Sequence, residues 1–423
     1  KKIIESIDVR HRSSTLSIVF QNIIHRKSGQ SDPADTFHSL PDILNKLHKN
    51  KNAQTHHKKS VTVVDETGSI VALKRHEKKV AHEHLDILDS DKEKTFLDLS
   101  RLSMEAIPSN IMQFTKLQAL YLYENKLATL PPEIGKLSCL ENLWLQENCI
   151  THLPDELISC SNLNLLDLRH NRLEGALPPV ISKLLNLKQL LLTYNKLSSI
   201  GNIGTLQHLQ TLVVKSNQLQ GQMPRYNQIS TIPDELTNCQ LLTELNLEGN
   251  DVIELPRNFL SRMPNVVTVS LCRNGFLSLP DGDLGQFKSV QTLNMGYNNI
   301  ETLRDDAFTD VPLLTTLVLG NNSIFQLGVA LNLKQLVELD LSYNLIQTLP
   351  DAIGCLHHLQ TLDLASNKLK TLPVTIGQLC SLVRLQLEFN QISHLPPEIG
   401  QLSKLQVLNV EANGLIRLPS TIG

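Results

Sequence analysis

The chain has 423 residues, of which 41% are hydrophobic but only 4% aromatic, and its net charge is -3. That length exceeds one small core and suits a repeat array, while the near balance of charge excludes a general nucleic-acid binder, which needs a basic surface to meet phosphate. No run of 18 apolar residues occurs, so no membrane span is predicted.

Residues 1–94 are rich in Lys, His, Ser, Asp and Gln and carry no sustained period, so this stretch is read as a polar, mostly disordered N-terminal region. PADTFHSLPDILNKLHKN suits a short helix, and KKVAHEHLDILDSDKEK a charged lead-in covering the first repeat. VALK at 71–74 matches the ATP-binding lysine strand of kinases, but no Gly-rich loop precedes it and no HRD or DFG motif follows. HHKKS and AHEH lack the spacing of a structural metal site and read as solvated histidines. The seven cysteines are scattered singly, with neither a CxxC pair nor a disulfide framework, which favours a reducing compartment.

From about Thr95 the chain obeys LxxLxLxxNxLxxLP. The residues in its Asn slot are Leu102, Asn125, Asn148, Asn171, Asn195 and Asn217, then Asn227, Asn250, Asn274, Asn298, Asn322, Asn344, Asn367, Asn390 and Asn413. The steps are 22–24 residues with one exception, the 10 residues from Asn217 to Asn227. That consensus and period predict a leucine-rich repeat solenoid, an α/β horseshoe with parallel strands on its concave face. Each repeat supplies one short LxL strand, then returns along the outer side, often as a helical turn such as PPEIGKLSCL. The recurrent Asn is expected buried at the turn, satisfying backbone groups. The expected divisions are 95–219 as a first half-array, 220–226 as an irregular junction and 227–423 as a second half-array.

The short step at the junction reads as omitted material rather than a functional insertion. Either way, the expected consequence is a local defect and a hinge. Neither terminus reads as a natural one: no Met begins the chain, and the last repeat is cut.

No GxSxG, P-loop or acid-tuning cleft is recognisable, so catalysis and cofactors are not expected, and the surface becomes the candidate. Strand alternation places Leu120 and Leu122 inward and Tyr121 and Tyr123 outward. The candidate protein-binding residues on the concave face are Tyr121, Tyr123, Trp144, Asp167, Arg169, His170, Tyr194 and Lys215. Exposed Tyr, Trp and Arg are what interface hot regions use. The second half instead presents carboxylates, among them Glu244, Glu248, Glu338, Asp340, Asp363, Glu388 and Glu411. That contrast suggests two partners or two lobes of one.

TKLQALYLYENKLATLP, NLLDLRHNRL, RYNQISTIPDELTNCQLLTELNLEGN and VQTLNMGYNNIETL resemble the SHOC/SUR leucine-rich repeat scaffold family of the Ras–RAF MAP-kinase pathway, over roughly residues 85–423. The resemblance implies a non-catalytic scaffold. It would join a GTP-bound Ras-family GTPase to the protein phosphatase 1 catalytic subunit, with RAF kinase as the indirect substrate. On this resemblance Tyr121 and Tyr123 meet the phosphatase, and Asp167 and Arg169 lie in the region engaging both partners. Thr193 and Lys215 stand where the family has Arg. The family's V-x-F docking segment has two candidates here, Ile18-x-Phe20 and Val61-x-Val63, either of which would add an edge strand to the phosphatase. Changing Arg169 to Glu is expected to abolish the complex and spare the fold, because the side chain is taken to face solvent. The alternative is a generic intracellular repeat adaptor for another protein. The expected location is the cytoplasm, with the nucleus a second compartment and membrane recruitment only through a partner.

Overall fold

A computed structural model describes residues 93–215, 228–280, 289–303, 311–328 and 333–422, together with the backbone of three short strands at 17–18, 61–64 and 70–73. The expected disordered region thus lies mostly outside the described residues. Its three strands are β1 (Ser17–Ile18), β2 (Val61–Val64) and β3 (Ile70–Leu73).

The array follows as β4 (Phe96–Asp98), β5 (Ala119–Tyr121), β6 (Asn142–Trp144), β7 (Leu165–Asp167), β8 (Glu174–Ala176), β9 (Gln189–Leu191), β10 (Lys196–Ser199) and β11 (Thr211–Val213). It continues as β12 (Glu244–Asn246), β13 (Thr268–Ser270), β14 (Thr292–Asn294), β15 (Thr316–Val318), β16 (Glu338–Asp340), β17 (Thr361–Asp363), β18 (Arg384–Gln386) and β19 (Val407–Asn409). All but β8 and β10 form one 17-stranded sheet. From β4 to β19 its strands pair in parallel, in register and in chain order. β8 and β10 make a separate parallel pair.

The leucines explain the stacking. In LxL the middle strand residue and the one two positions later point inward, and both are buried in every repeat, as with Leu120 and Leu122 or Leu362 and Leu364. No repeat encloses these side chains alone. Each relies on its neighbours, so one continuous aliphatic core runs from Leu97 to Val410.

The Asn ladder closes the backbone account. Asn148 donates through Nδ2 to the carbonyls of Leu122 (2.9 Å) and Leu145 (3.0 Å), and its Oδ1 accepts the Leu127 N–H (3.0 Å). One side chain thus satisfies three backbone groups in two repeats, and the pattern recurs at Asn171, Asn344 and Asn390.

The return arms are the expected helical turns, of the tighter kind. They are 3-10 turns of three to five residues, such as Pro132–Lys136 and Asp351–Cys355, and no α-helix occurs among the described residues. Pro131, Pro154, Pro233, Pro350, Pro373 and Pro396 precede such turns in extended conformation, where their fixed φ fits and the missing N–H is not needed.

The sheet crosses the expected hinge without a break. β11 pairs directly with β12, Thr211 opposite Glu244, and Val214 N–H donates to the Asn246 carbonyl (2.8 Å). On the outer side the 3-10 turn Ile203–Thr205 packs on Asp234–Asn238, so closely that a Cβ on Gly204 would meet the Glu235 carbonyl. Of the two like phrases ten residues apart, SNQL at 216–219 and YNQI at 226–229, the second supplies the descending arm through Gln228 and Ile229. Gln228 N–H donates to Leu197 (2.6 Å), as Lys196 N–H does to Leu173 (2.7 Å) one repeat earlier. Residues 216–227, between the two anchors, lie outside the described residues.

Candidate protein-binding face

Three rows of side chains run across the strands on the face opposite the 3-10 turns. The first is the last residue of each strand, the second lies two residues on, and the third is the residue immediately before each Asn. That third residue has a left-handed backbone in repeat after repeat: φ is 54° at Glu124, 58° at Glu147, 52° at His170, 57° at Tyr194, 55° at Tyr297, 52° at Tyr343 and 56° at Phe389. Only Gly249 relieves the steric cost by lacking a Cβ. These residues follow the strands and sit on the turn that lets Asn point inward. Their constant offset from Asn is the signal that identifies them.

In the first half, Phe96 at the start of β4 joins the first and second rows in an aromatic block. Phe96 and Tyr121 ring centroids are 4.8 Å apart, Trp144 stacks on Tyr121 at 5.6 Å and 8°, and Tyr123 meets Tyr121 edge-on at 6.4 Å. Parallel in-register pairing brings these rings together, because Tyr121 stands opposite Trp144 on the adjacent strand. Burial holds the Tyr121 phenol above its ordinary pKa, with help from Asp98. Two polar atoms in the block have lost solvent without gaining a partner, Trp144 Nε1 and Gln146 Oε1. Such orphaned groups cost free energy in the isolated chain.

Asp167 and Arg169 do not play the same role. Asp167 is fully buried, and the partly exposed Arg169 folds over it with a two-point ion pair, Nε to Oδ1 at 2.9 Å and Nη2 to Oδ2 at 2.6 Å. The expectation that Arg169 simply faces solvent is therefore corrected: its guanidinium compensates a buried carboxylate, and reversing its charge would place two carboxylates together. His170 is exposed and rests against Tyr194, centroids 4.3 Å apart; desolvation and the Arg169 charge hold its pKa below the ordinary value, against the opposing pull of Glu147. Lys215 reaches across the junction to Glu248 at 3.0 Å, and Thr193 is buried, so neither replaces a family Arg as an open donor. Of the docking candidates, Ile18 lies in β1, which pairs with β19, while Val61 and Val63 lie in β2, which pairs with β3 and β4. Phe20 lies outside the described residues.

Among the described residues, the second-half carboxylates of this face form no ion pair apart from Glu248 with Lys215, and Arg273 lies over the Tyr297 ring at 4.5 Å. Among the described residues no cluster suits a metal ion, and no helix is long and apolar enough to cross a membrane.

The comparisons agree with this architecture. The Leucine rich repeat family profile matches residues 115–173, 264–324 and 326–369. A leucine-rich repeat protein of Leptospira interrogans superposes with a TM-score of 0.71 at 33% identity, over 79% of this chain and 83% of that one. A plant peptide hormone receptor gives 0.59 at 25% identity, over 77% and 62%. An internalin of Listeria monocytogenes gives 0.59 at 19% identity over 81% and 90%, a likeness of fold alone. Among curated relatives, the alpha subunit of geranylgeranyl transferase type-2 is 37% identical over 89 residues in Bos taurus and 32% over 107 in Rattus norvegicus. Those matches span only 14% and 17% of the relatives' length, and 21% and 25% of this chain. The repeat consensus, the parallel ladder and the likeness to the Leptospira protein over most of both chains show that this chain belongs to the leucine-rich repeat family.

Proposed function

We propose that this chain is a non-catalytic scaffold that joins a GTP-bound Ras-family GTPase to the protein phosphatase 1 catalytic subunit. RAF kinases would then lose an inhibitory phosphate and MAP-kinase signalling would rise. The observation that carries the reading is the aromatic block on the first half-array. Tyr121 and Trp144 are stacked, and beside them Trp144 Nε1 and Gln146 Oε1 are desolvated but unpaired. A surface that pays this cost alone and recovers it on contact is built for a partner. The SHOC/SUR resemblance of LYLYENKL, on β5, and of LDLRHN, on β7 beside the Trp144 strand, is the ground for naming these partners. The scaffold would raise effective concentration and fix orientation, leaving the chemistry to the phosphatase. The setting that fits is the cytoplasm.

Size-exclusion chromatography of the purified chain with the phosphatase and with Ras loaded with a GTP analogue or GDP tests this. A ternary complex is expected only with the GTP analogue, and Tyr121→Ala with Trp144→Ala should weaken it at least tenfold. Equal complex formation with GDP, or an unaffected double variant, would overturn the assignment.

A further inference from the structure

The far half of the same sheet holds a second, chemically different surface. Two residues past β14, β15, β16 and β17 stand Gly296, Gly320, Ser342 and Ala365, all buried, which leaves a shallow trough running across the strands. The row stays low because Asp340 and Ser342 pack directly over its glycine: a Cβ on Gly320 would come within 2.7 Å of Asp340 Oδ2 and 2.9 Å of Ser342 Oγ. On its turn side stand Tyr343 and Phe389, each 54% exposed and held at positive φ, with Ser366 between them. On its strand side lie Asp340 and Asp363, directly opposite each other on β16 and β17. Beyond Ala365 the same row continues as Glu388 and Glu411.

Three independent features of this trough point to an occupant. First, the carboxylates are unpaired. In the first half Asp167 and Glu124 have arginine partners, and at the junction Glu248 has Lys215, yet among the described residues Glu338, Asp340, Asp363, Glu388 and Glu411 make no ion pair. Arg384 is the one basic side chain on these four strands, and it is exposed at the start of β18, opposite Thr361 rather than Asp363. Second, Gln386 Oε1 and Glu388 Oε2 are both desolvated with no hydrogen-bond donor, an adjacent pair of empty acceptors beside Phe389. Burial and the neighbouring charges also push the Asp363 carboxyl up to about 6, so the group is held charged at neutral pH against its surroundings. Third, the aromatic row already seats a guanidinium elsewhere, since Arg273 lies 4.5 Å over the Tyr297 ring.

We infer that this trough binds an extended, basic segment of a protein partner, with an arginine whose guanidinium donates to Gln386 and Glu388 while stacking on Phe389. The charge complementarity selects a cation, and the two empty acceptors beside a ring face select arginine's planar fork over lysine. The trough fits an extended chain. Tyr343 and Phe389 are two strands apart, about 9.5 Å at ordinary strand spacing, and a polyproline-type segment places every third side chain at about the same interval. The surface is separate from the Tyr121–Trp144 block and does not depend on the partners proposed for that block.

The test is fluorescence anisotropy of the full chain with labelled peptides repeating Arg-Pro-Pro, Lys-Pro-Pro or Glu-Pro-Pro. Saturable binding of the arginine peptide is expected, at least threefold weaker for lysine and absent for glutamate, and weakened by salt. Glu388→Gln combined with Asp363→Asn, and separately Phe389→Ala, should each weaken the arginine peptide at least tenfold, with circular dichroism unchanged. Tyr121→Ala with Trp144→Ala should leave peptide binding intact, so failure of the scaffold reading and failure of this one are distinguishable. Absence of saturable binding, or binding indifferent to the Glu388, Asp363 and Phe389 changes, would overturn the inference.

Discussion

The junction offers the sharpest quantitative test. If the repeated phrase is a looped-out insertion in an otherwise continuous array, deleting Asn217 through Tyr226 joins Ser216 to Asn227 and restores a 23-residue step between Thr211 and Glu244. The anchors already exist, since the Lys215 carbonyl accepts from Tyr194 N–H (2.9 Å) and Gln228 N–H donates to the Leu197 carbonyl (2.6 Å). Between them the deletion shortens the connection from the 12 residues 216–227 to 2. Closure entropy scales as three-halves RT times the logarithm of loop length, so this shortening is worth about 1 to 2 kcal/mol in favour of the folded state. Urea unfolding followed by circular dichroism should give a higher midpoint with an unchanged slope, because the surface exposed on unfolding barely changes. A lowered midpoint, or a transition that splits in two, would refute the argument and show that the deleted residues hold the halves together.

Three further outcomes follow from particular contacts. Arg169→Met should destabilise by about 3 kcal/mol or more, because it strands the buried Asp167 charge, and adding Asp167→Asn should recover most of the loss in the same urea assay. Asp363→Asn should act in the opposite sense. The folded-state pKa of about 6 lies above the ordinary 3.8, so the stability tied to protonation is complete below pH 3.8 and is lost as pH rises through 6. The Asn variant should therefore melt higher than the parent at pH 7, by up to about 3 kcal/mol, and match it near pH 3.5. Gly204→Ala should cost about 1 to 3 kcal/mol by calorimetry, since the new methyl meets the Glu235 backbone carbonyl where the outer turns cross the junction.

Much of this fold was legible in the sequence because the repeat physics is local. LxL spacing sets which leucines are buried, and the Asn three residues after the second Leu has one geometry available to it. The junction was less legible. Period alone could not say which of the two phrases would serve as the descending arm, because that choice is settled by contacts with Leu197 and Asn250, in the repeats on either side. The outer arms are the helical turns expected, and runs of three to five residues, several entered from proline, take 3-10 geometry because they have no room for an α-helical ladder. On the face itself, alternation placed Asp167 in the open, yet nothing in a two-residue pattern reveals that Arg169 would fold back and cover it. The trough of Gly296, Gly320 and Ala365 also escaped notice, because small residues carry no signal until the rows are aligned.

The claim on which the functional account rests is that the Tyr121–Trp144 face meets partners. Trp144 is the chain's single Trp, so incorporating 5-fluorotryptophan gives one fluorine resonance from the middle of that face. Addition of the phosphatase catalytic subunit and GTP-loaded Ras should shift and broaden that resonance, with saturation at the stoichiometry of the complex. A resonance left in place while the complex forms would put the partners elsewhere on the molecule and contradict the account.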